Sequence, residues 1–321
     1  MAPLTSEQVE QFHREGYLLV EGMFDPATDI EPIIEEYAGV LDTLANTLHD
    51  QGTIASSYSE LPFGQRLIEI YKESGAVHAQ YFDFSLPQAD VREDTPFWAG
   101  PAVFNMIRNQ RLLDAVESII GPEIYSNPVQ HVRLKPPEQL TPKDAQGRVQ
   151  LGKTPVHQDN GVVLPEADHT DILTVWFPLW DTTVENGCLV VWPESHLQGL
   201  LDHCPRPGGL QIPGQLLSGK AKSMPMRRGD VLFMHKLTVH ASHSNTSTNV
   251  RWSFDLRYNP IGQPTGRSAF PGFIARSRTS PETELHDPTE WARSWHEARH
   301  RLATGGMGPF NRWSADSPVC A

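Results

Sequence analysis

From residue 123 onward, the sequence consists of short apolar segments that Pro, Gly and Asn residues separate. The segments are rich in Val, Ile, Trp and Phe, residue types that favour β-strands. No helical pattern lies between them, so consecutive strands have no helix to connect them in parallel. We therefore predict an antiparallel sandwich or barrel rather than a doubly wound α/β fold. The predicted strands lie at 123–134, 171–179, 187–192, 230–235 and 250–258.

The regions on either side of this predicted sheet have different patterns. The N-terminal third has helical spacing of apolar residues, and Thr5 or Ser6 is the candidate N-cap of its first helix. Further helices are predicted at 30–48 and 108–121, and one near 288–303 within an otherwise irregular tail. We predict a single domain over 1–321. Its parts are a mainly helical segment, 1–122, a β core, 123–260, and a C-terminal wrap, 261–321.

Composition and charge narrow the range of partners. The chain has 321 residues, of which 39% are hydrophobic, enough for one large domain or two modest ones. Its net charge of −13 argues against nucleic acid or an anionic membrane as the main partner, because those partners need clustered Lys and Arg. We expect a small-molecule substrate. With neither a long apolar run nor a signal-peptide pattern, we also expect a cytoplasmic protein without a membrane span.

The cysteines are few and widely spaced. Cys188, Cys204 and Cys320 do not form a disulfide framework or a cysteine-based zinc motif. We expect buried or incidental thiols and no structural disulfide.

Two His-x-Asp pairs are candidates for metal ligands. His157 and Asp159 lie in "TPVHQDNGVV", and His169 and Asp171 lie in "DHTDILTV". A chain with 14 histidines contains such a pair about once by chance, so the motif alone does not decide between them.

A third candidate ligand lies far downstream. His240 precedes Arg251 by eleven residues, with His235 and His243 as rivals for the same role. Two histidines and one carboxylate on one face of the ion are the ligand set of non-haem Fe(II) oxygenases. The planar guanidinium of Arg251, one strand away, is suited to binding a carboxylate with two hydrogen bonds.

The sequence resembles the phytanoyl-CoA dioxygenase family of Fe(II)- and 2-oxoglutarate-dependent oxygenases. The N-terminal "LTSEQVEQFHREGYLLVEGMF" is similar to the family's opening helix and first strand. Glu194 is a departure, because relatives often have glycine at that position of a "PGSH" turn. The other matching elements, in the family's order, are "KPP" at 135–137, "HQD" at 157–159, "LTVWFPL" at 173–179, "NGCLVVWPESH" at 186–196, "GDVLF" at 229–233, and His240 with Arg251.

This resemblance implies a fold and a metal site. The fold is mainly β with flanking helices around a double-stranded β-helix, the jelly-roll core of cupin-like proteins. The metal is Fe(II), with His157, Asp159 and His240 as its ligands, because the family's first ligand lies almost twenty residues before the tryptophan of the next strand. His157 has this spacing from Trp176, whereas His169 and Asp171 are then loop residues.

The resemblance also implies the cosubstrates 2-oxoglutarate and O₂. Arg251 would bind the distal carboxylate of 2-oxoglutarate, with Ser242 as a hydroxyl donor. Trp176 would line the pocket, although the strand pattern leaves it as an alternative member of the sheet core. Succinate and CO₂ would be released, and the retained carboxylate of Asp159 favours hydroxylation, desaturation or ring formation over halogenation.

The identity of the substrate rests on weaker signals. Alternation along 127–135 places His131 and Arg133 on one face, where they would suit an anionic substrate or simply cover a solvated surface. The other candidates for substrate contacts are Asn160, Phe97, Trp98 and Arg257.

Two alternative functions remain at this stage. The first is a non-catalytic β-helix protein, and the second is a cupin-type metal-binding protein that does not use 2-oxoglutarate. The latter would have no use for Arg251.

Overall fold

The computed structural model describes residues 3–306 and 308–320. Within these ranges the chain forms six α-helices and eleven β-strands. The helices are α1 Ser6–Glu15, α2 Glu31–Asp50, α3 Phe63–Ser74, α4 Pro101–Ile107, α5 Gln110–Ile120 and α6 Pro288–Gly305. The strands are β1 Tyr17–Val20, β2 Glu123–Lys135, β3 Leu173–Pro178, β4 Leu189–Val191, β5 Cys204–Arg206, β6 Gly209–Gln211, β7 Lys222–Met224, β8 Val231–His235, β9 His240–Ser242, β10 Arg251–Pro260 and β11 Phe273–Ser277.

The strands form two facing sheets and a small hairpin. The major sheet has the order β1-β8-β3-β10-β2-β11, the minor sheet has the order β7-β4-β9, and β5 pairs with β6. Every strand pair is antiparallel. A small apolar cluster that includes Trp176, Leu189 and Met234 joins the two sheets. The predicted jelly-roll core is confirmed.

Alternation along β10 divides the major sheet into two chemically different faces. Trp252, Phe254 and Leu256 belong to the large apolar core that the sheet shares with the helices. The intervening residues, Arg251 and Asp255 among them, line a cleft on the opposite face. Since side chains of a strand point alternately to the two faces, a single ten-residue strand supplies both the core and the wall of the cleft.

The predicted elements agree with the structure in most places. All five predicted strands are present, and Thr5 caps α1 in a capping box with Gln8. The sheet extends beyond 123–260, because β1, in the segment that resembles the family's first strand, and β11 also pair with the major sheet. The tail is therefore not only an irregular wrap. Of the helices in the described part of the chain, none is both long and apolar enough to cross a membrane.

Glu194, where the family often has glycine, has a left-handed backbone with φ of 62°. This conformation costs little for glycine and more for a residue with a Cβ atom. The departure therefore changes the cost of a turn and lies outside the wall of the cleft.

The expectation of no structural disulfide is wrong. Cys204 of β5 and Cys320 form a disulfide, whereas Cys188 is a buried free thiol. The C-terminal segment folds back onto the β5–β6 hairpin, where Arg206 also donates a hydrogen bond to the carbonyl of Cys320. The two cysteines are 116 residues apart, so only the tertiary fold makes them neighbours.

Reduction of this disulfide is expected to destabilise the protein. A crosslink that closes a loop of this length restricts the unfolded chain, and its loss typically costs about 2–4 kcal/mol. Dithiothreitol should therefore lower the melting temperature by several degrees, measured by calorimetry. The double variant Cys204→Ser/Cys320→Ser should melt at the lower temperature with or without reductant. An unchanged melting temperature of the wild-type protein in dithiothreitol would contradict this prediction.

Candidate metal site

Three side chains converge at the edge of the minor sheet. His157, Asp159 and His240 each offer one ligand atom, and these atoms all lie within 4.8 Å of one another. Asp159 Oδ1 is 3.7 Å from His157 Nε2 and 3.8 Å from His240 Nε2. Two imidazoles and one carboxylate in this arrangement are suited to a divalent metal ion.

The backbone holds the two histidines side by side. His157 and His240 form a reciprocal pair of N–H to C=O hydrogen bonds, both 2.9 Å long, which extends the minor sheet. Their Nδ1 atoms lie 2.8 Å from the carbonyl of Pro155 and 2.9 Å from that of Thr238. With each Nδ1–H donated to a carbonyl, both Nε2 atoms are left as acceptors that face Asp159.

Burial and neighbouring charges give His157 and Asp159 the charge states that a metal ligand needs. Desolvation, with a smaller contribution from His240, lowers the pKa of His157 to about 3, so its imidazole is neutral near pH 7. Desolvation alone would raise the pKa of Asp159, but the nearby Arg257 and the two histidines lower it below its ordinary value. The site thus presents neutral imidazole next to carboxylate.

Asp159 is held on both oxygens. Arg257 donates to Oδ1, and the hydroxyl of Thr174 donates to Oδ2. Arg257 also donates to the carbonyl of Val129, where the ladder between β10 and β2 is interrupted next to Pro128. Proline has no N–H for the ladder, which favours a bulge there. Arg257, a predicted substrate residue, lines the cleft, and its guanidinium is bound to Asp159.

Beside the three converging side chains lies a cleft with an empty volume of about 640 Å³, part of it open to solvent. Arg251 lines it and is only 1% exposed. Its guanidinium lies 5.7 Å from the ring centre of Trp176 and donates to the hydroxyl of Ser253. Burial, with a contribution from Arg133, lowers the pKa of Arg251 to about 9, so it remains mostly charged near pH 7.

The charge of Arg251 has no carboxylate partner among residues 3–306 and 308–320, and its Nε has no hydrogen-bond acceptor there. A buried, unpaired cation is costly unless an anion binds to it. The cleft that His157 and His240 line therefore also has a buried cation that is suited to an anion.

Ser242 lies next to two residues that line the cleft, Thr154 and Leu189. Its oxygen accepts hydrogen bonds from the backbone N–H of Thr154, 2.8 Å away, and from Lys135 Nζ, 3.1 Å away. With both acceptor positions used, its own hydroxyl proton is available to a further acceptor. Burial, then Arg251 and Arg133, lower the pKa of Lys135 well below its ordinary value.

Comparison with known proteins fits this arrangement. Residues 12–253 match the family described as phytanoyl-CoA dioxygenase (PhyH). The chain belongs to the phytanoyl-CoA dioxygenase family. It is 24% identical to the phytanoyl-CoA dioxygenase domain-containing protein 1 of Danio rerio over 77% of this chain and 87% of that protein.

Solved structures of similar fold include two non-haem enzymes. The non-heme monooxygenase ThoJ has a TM-score of 0.56 and 16% identity, covering 94% of this chain and 100% of ThoJ. The epimerase SnoN, solved with Fe³⁺, α-ketoglutarate and nogalamycin RO, has a TM-score of 0.51 and 20% identity, covering 81% of this chain and 86% of SnoN. The expected family, fold and enzyme class, an Fe(II)- and 2-oxoglutarate-dependent oxidoreductase that uses O₂, are confirmed.

The structure of this phytanoyl-CoA dioxygenase family member separates the two His-x-Asp pairs. His169 is exposed, and the carboxylate of Asp171 accepts a hydrogen bond from Gln263 at the surface. Of the rivals of His240, His243 lies 2.8 Å from the hydroxyl of Ser223, and His235 packs near the ring of His196.

The predicted substrate residues are divided between the cleft and other locations. His131 and Arg133 line the cleft. Trp98 donates to a carboxylate oxygen of Glu36 in α2, and Phe97 lies near the ring of His296 in α6. These two aromatic residues pack against helices rather than against the cleft.

Asn160 is also placed differently from the prediction. It is 1% exposed and donates to Asp168, which is paired with Arg312 of the C-terminal segment. Trp313 donates to the carbonyl of Gly161 at 2.7 Å. Asn160 therefore holds the loop after Asp159 in place, and the sequence analysis missed the support that this loop receives from the C-terminal segment.

Proposed function

We propose that this protein is an Fe(II)- and 2-oxoglutarate-dependent dioxygenase that oxidises, most simply hydroxylates, a small organic molecule and releases succinate and CO₂. The observation that carries the proposal is the pairing of the His-Asp-His cluster with a buried, unpaired arginine in one cleft. The first feature suits a metal ion, and the second suits a carboxylate beside it.

The residues have distinct roles in this proposal. His157, Asp159 and His240 hold Fe(II), while Arg251 and the hydroxyl of Ser242 bind the distal carboxylate of 2-oxoglutarate. When bound, iron and 2-oxoglutarate would supply the electrons that activate O₂ toward a C–H bond of the substrate. Three ligands on one side leave the opposite side accessible from the cleft.

Neighbouring residues keep these ligands in position. Arg257 and Thr174 fix the two oxygens of Asp159, so that the carboxylate cannot rotate away from the histidines. Trp176 is 3% exposed and covers the Arg251 guanidinium, which excludes water from the carboxylate-binding end. Since Asp159 occupies the position that a halide would need, the site favours hydroxylation over halogenation.

The alternative of a cupin-type protein that does not use 2-oxoglutarate leaves Arg251 without a role. Arg276, a buried arginine that does not line the cleft, is paired with the carboxylates of Asp114 and Glu117, whereas Arg251 lines the cleft without a carboxylate partner in the described residues. The charge on Arg251 therefore favours the dioxygenase.

Anaerobic addition of Fe(II) and 2-oxoglutarate to the purified protein is expected to produce a weak visible charge-transfer absorption. Fe(II) alone, or Fe(II) with succinate, should not produce it, because the band requires the keto acid on the metal. Subsequent admission of air should yield succinate. A protein that binds iron and develops no band with 2-oxoglutarate would support the cupin-type alternative.

A further inference from the structure

The wall of the cleft next to the three proposed metal ligands has basic side chains at one end and hydrogen-bond acceptors at the other. Alternation along β2 places His131, Arg133 and Lys135 on the same face of the major sheet. Lys135 donates to Ser242 at one end of this row. Arg133 lies two residues before Lys135 in the strand. His131 is the last of the three and lies opposite Asp255 in the register of β10.

Arg133 is a cation without a protein partner. It lines the cleft and is half-buried, and its guanidinium forms no hydrogen bond or ion pair with any residue in the described ranges. The proposed function assigns the charge of Arg251 to 2-oxoglutarate, and Arg257 is already bound to Asp159 and Asp255. In a chain with 39 acidic and 26 basic residues, a free arginine beside another arginine indicates a second anion.

The other end of the wall is built to accept hydrogen bonds. Asp83 Oδ2 lies 2.8 Å from His131 Nδ1, and its Oδ1 accepts from the backbone N–H of Val132 at 3.2 Å. A carboxylate on Nδ1 fixes the tautomer in which Nε2 is the acceptor. Within the part of the chain that the structure describes, Nε2 has no partner. Asp255 adds a second acceptor across the strand pair.

From this polarity we infer that the substrate is a hydroxy carboxylic acid, whose carboxylate binds Arg133 and whose hydroxyl donates to His131 Nε2, with Asp83 positioning the imidazole. This inference rests on the proposed function and specifies its substrate class. Two residues of a strand span roughly 6.6 Å, which sets the separation between the carboxylate and the hydroxyl. The apolar side chains of Val129, Val162 and Met234 complete the cleft and suit a hydrocarbon body between the two groups.

Three small probes of nearly the same shape test the inference. 4-Hydroxybenzoate carries both groups, 4-hydroxybenzamide lacks the charge, and benzoate lacks the hydroxyl. Binding is measured by calorimetry on protein loaded with Mn(II) and saturated with 2-oxoglutarate, so that the cosubstrate position is filled and no turnover takes place. We expect 4-hydroxybenzoate to bind about tenfold or more tightly than the amide, and several-fold more tightly than benzoate.

The variants assign each preference to its residue. Arg133→Gln should abolish the preference for the acid over the amide. Asp83→Asn should abolish the preference for the hydroxyl, and His131→Phe should do the same, while both keep the preference for the acid. All three should bind 2-oxoglutarate as wild type does. Arg293→Gln, which removes an exposed arginine of α6, is the matched control and should change neither preference.

Several outcomes would overturn the inference. If the wild-type protein binds none of the probes, or binds acid and amide equally, the cleft has no second anion site. If Arg133→Gln weakens 2-oxoglutarate binding as strongly as Arg251→Ala does, Arg133 belongs to the cosubstrate. Binding of 2-oxoglutarate to the Mn(II) protein is measured before any probe is added. If the protein does not bind 2-oxoglutarate, the proposed function fails, and the inference fails with it.

Discussion

Replacement of Asp159 by alanine is expected to abolish both iron binding and iron-dependent turnover. The carboxylate is the only negative charge in the proposed ligand set, and its removal also leaves Arg257 buried beside Val129 without its main counter-charge. Breaking a buried pair of this kind costs about 3–5 kcal/mol, so the melting temperature should fall as well. Iron content per chain, measured on protein that is still folded at the assay temperature, is the decisive quantity.

The histidine variants separate ligand loss from instability. His157→Ala and His240→Ala each remove one imidazole and leave the Arg257–Asp159 pair intact, so they should lose iron with a smaller fall in stability. His169→Ala and Asp171→Ala belong to the second His-x-Asp pair at the surface and should keep iron near the wild-type content. Loss of iron from the His169 variant and its retention by the His157 variant would show that the wrong pair was selected.

The sheet and its two faces could be predicted because the information is local. Each of the five predicted strands has an apolar segment bounded by Pro, Gly or Asn, and alternation alone places Trp252 and Phe254 on the face opposite Arg251. The short strands β7 and β9 have only three residues each, which is too few for periodicity to be detected. They are found only because β4 provides their hydrogen-bond partners.

The supporting contacts of the site could not be predicted because they connect distant segments. Asp83 reaches His131 over 48 residues, and Arg257 reaches Asp159 over 98. The disulfide and the contact between Trp313 and Gly161 depend on how the C-terminal segment folds back. Phe97 is a sequence candidate for the pocket mouth, and the sequence carries no signal for its contact with His296 of α6. Motif spacing identifies the candidate ligand residues, which the pairing of strands brings together. It carries no signal for the distant side chains that form hydrogen bonds with those ligands.

Arg251→Ala is expected to raise the dissociation constant for 2-oxoglutarate about 30-fold to 1000-fold, with iron affinity nearly unchanged. The variant removes a charge-assisted, two-pronged contact and leaves the distal carboxylate unpaired in a partly dry cleft. Such a loss costs on the order of 2–4 kcal/mol. Arg251→Lys should recover little of the affinity, because an ammonium group cannot reproduce the planar contacts that the guanidinium makes with Trp176 and Ser253.

Calorimetry with Mn(II) in place of iron measures this affinity without turnover. Arg276→Ala is the matched control, since Arg276 is a buried strand arginine whose charge is already paired with Asp114 and Glu117 on α5. It should lower stability and leave the affinity for 2-oxoglutarate unchanged. If Arg251→Ala binds 2-oxoglutarate as tightly as the wild-type protein does, the buried arginine is not the carboxylate partner. The assignment of this end of the cleft to the cosubstrate would then have to be withdrawn. Lys135 could not take the place of Arg251, because its lowered pKa makes the ammonium form less stable there.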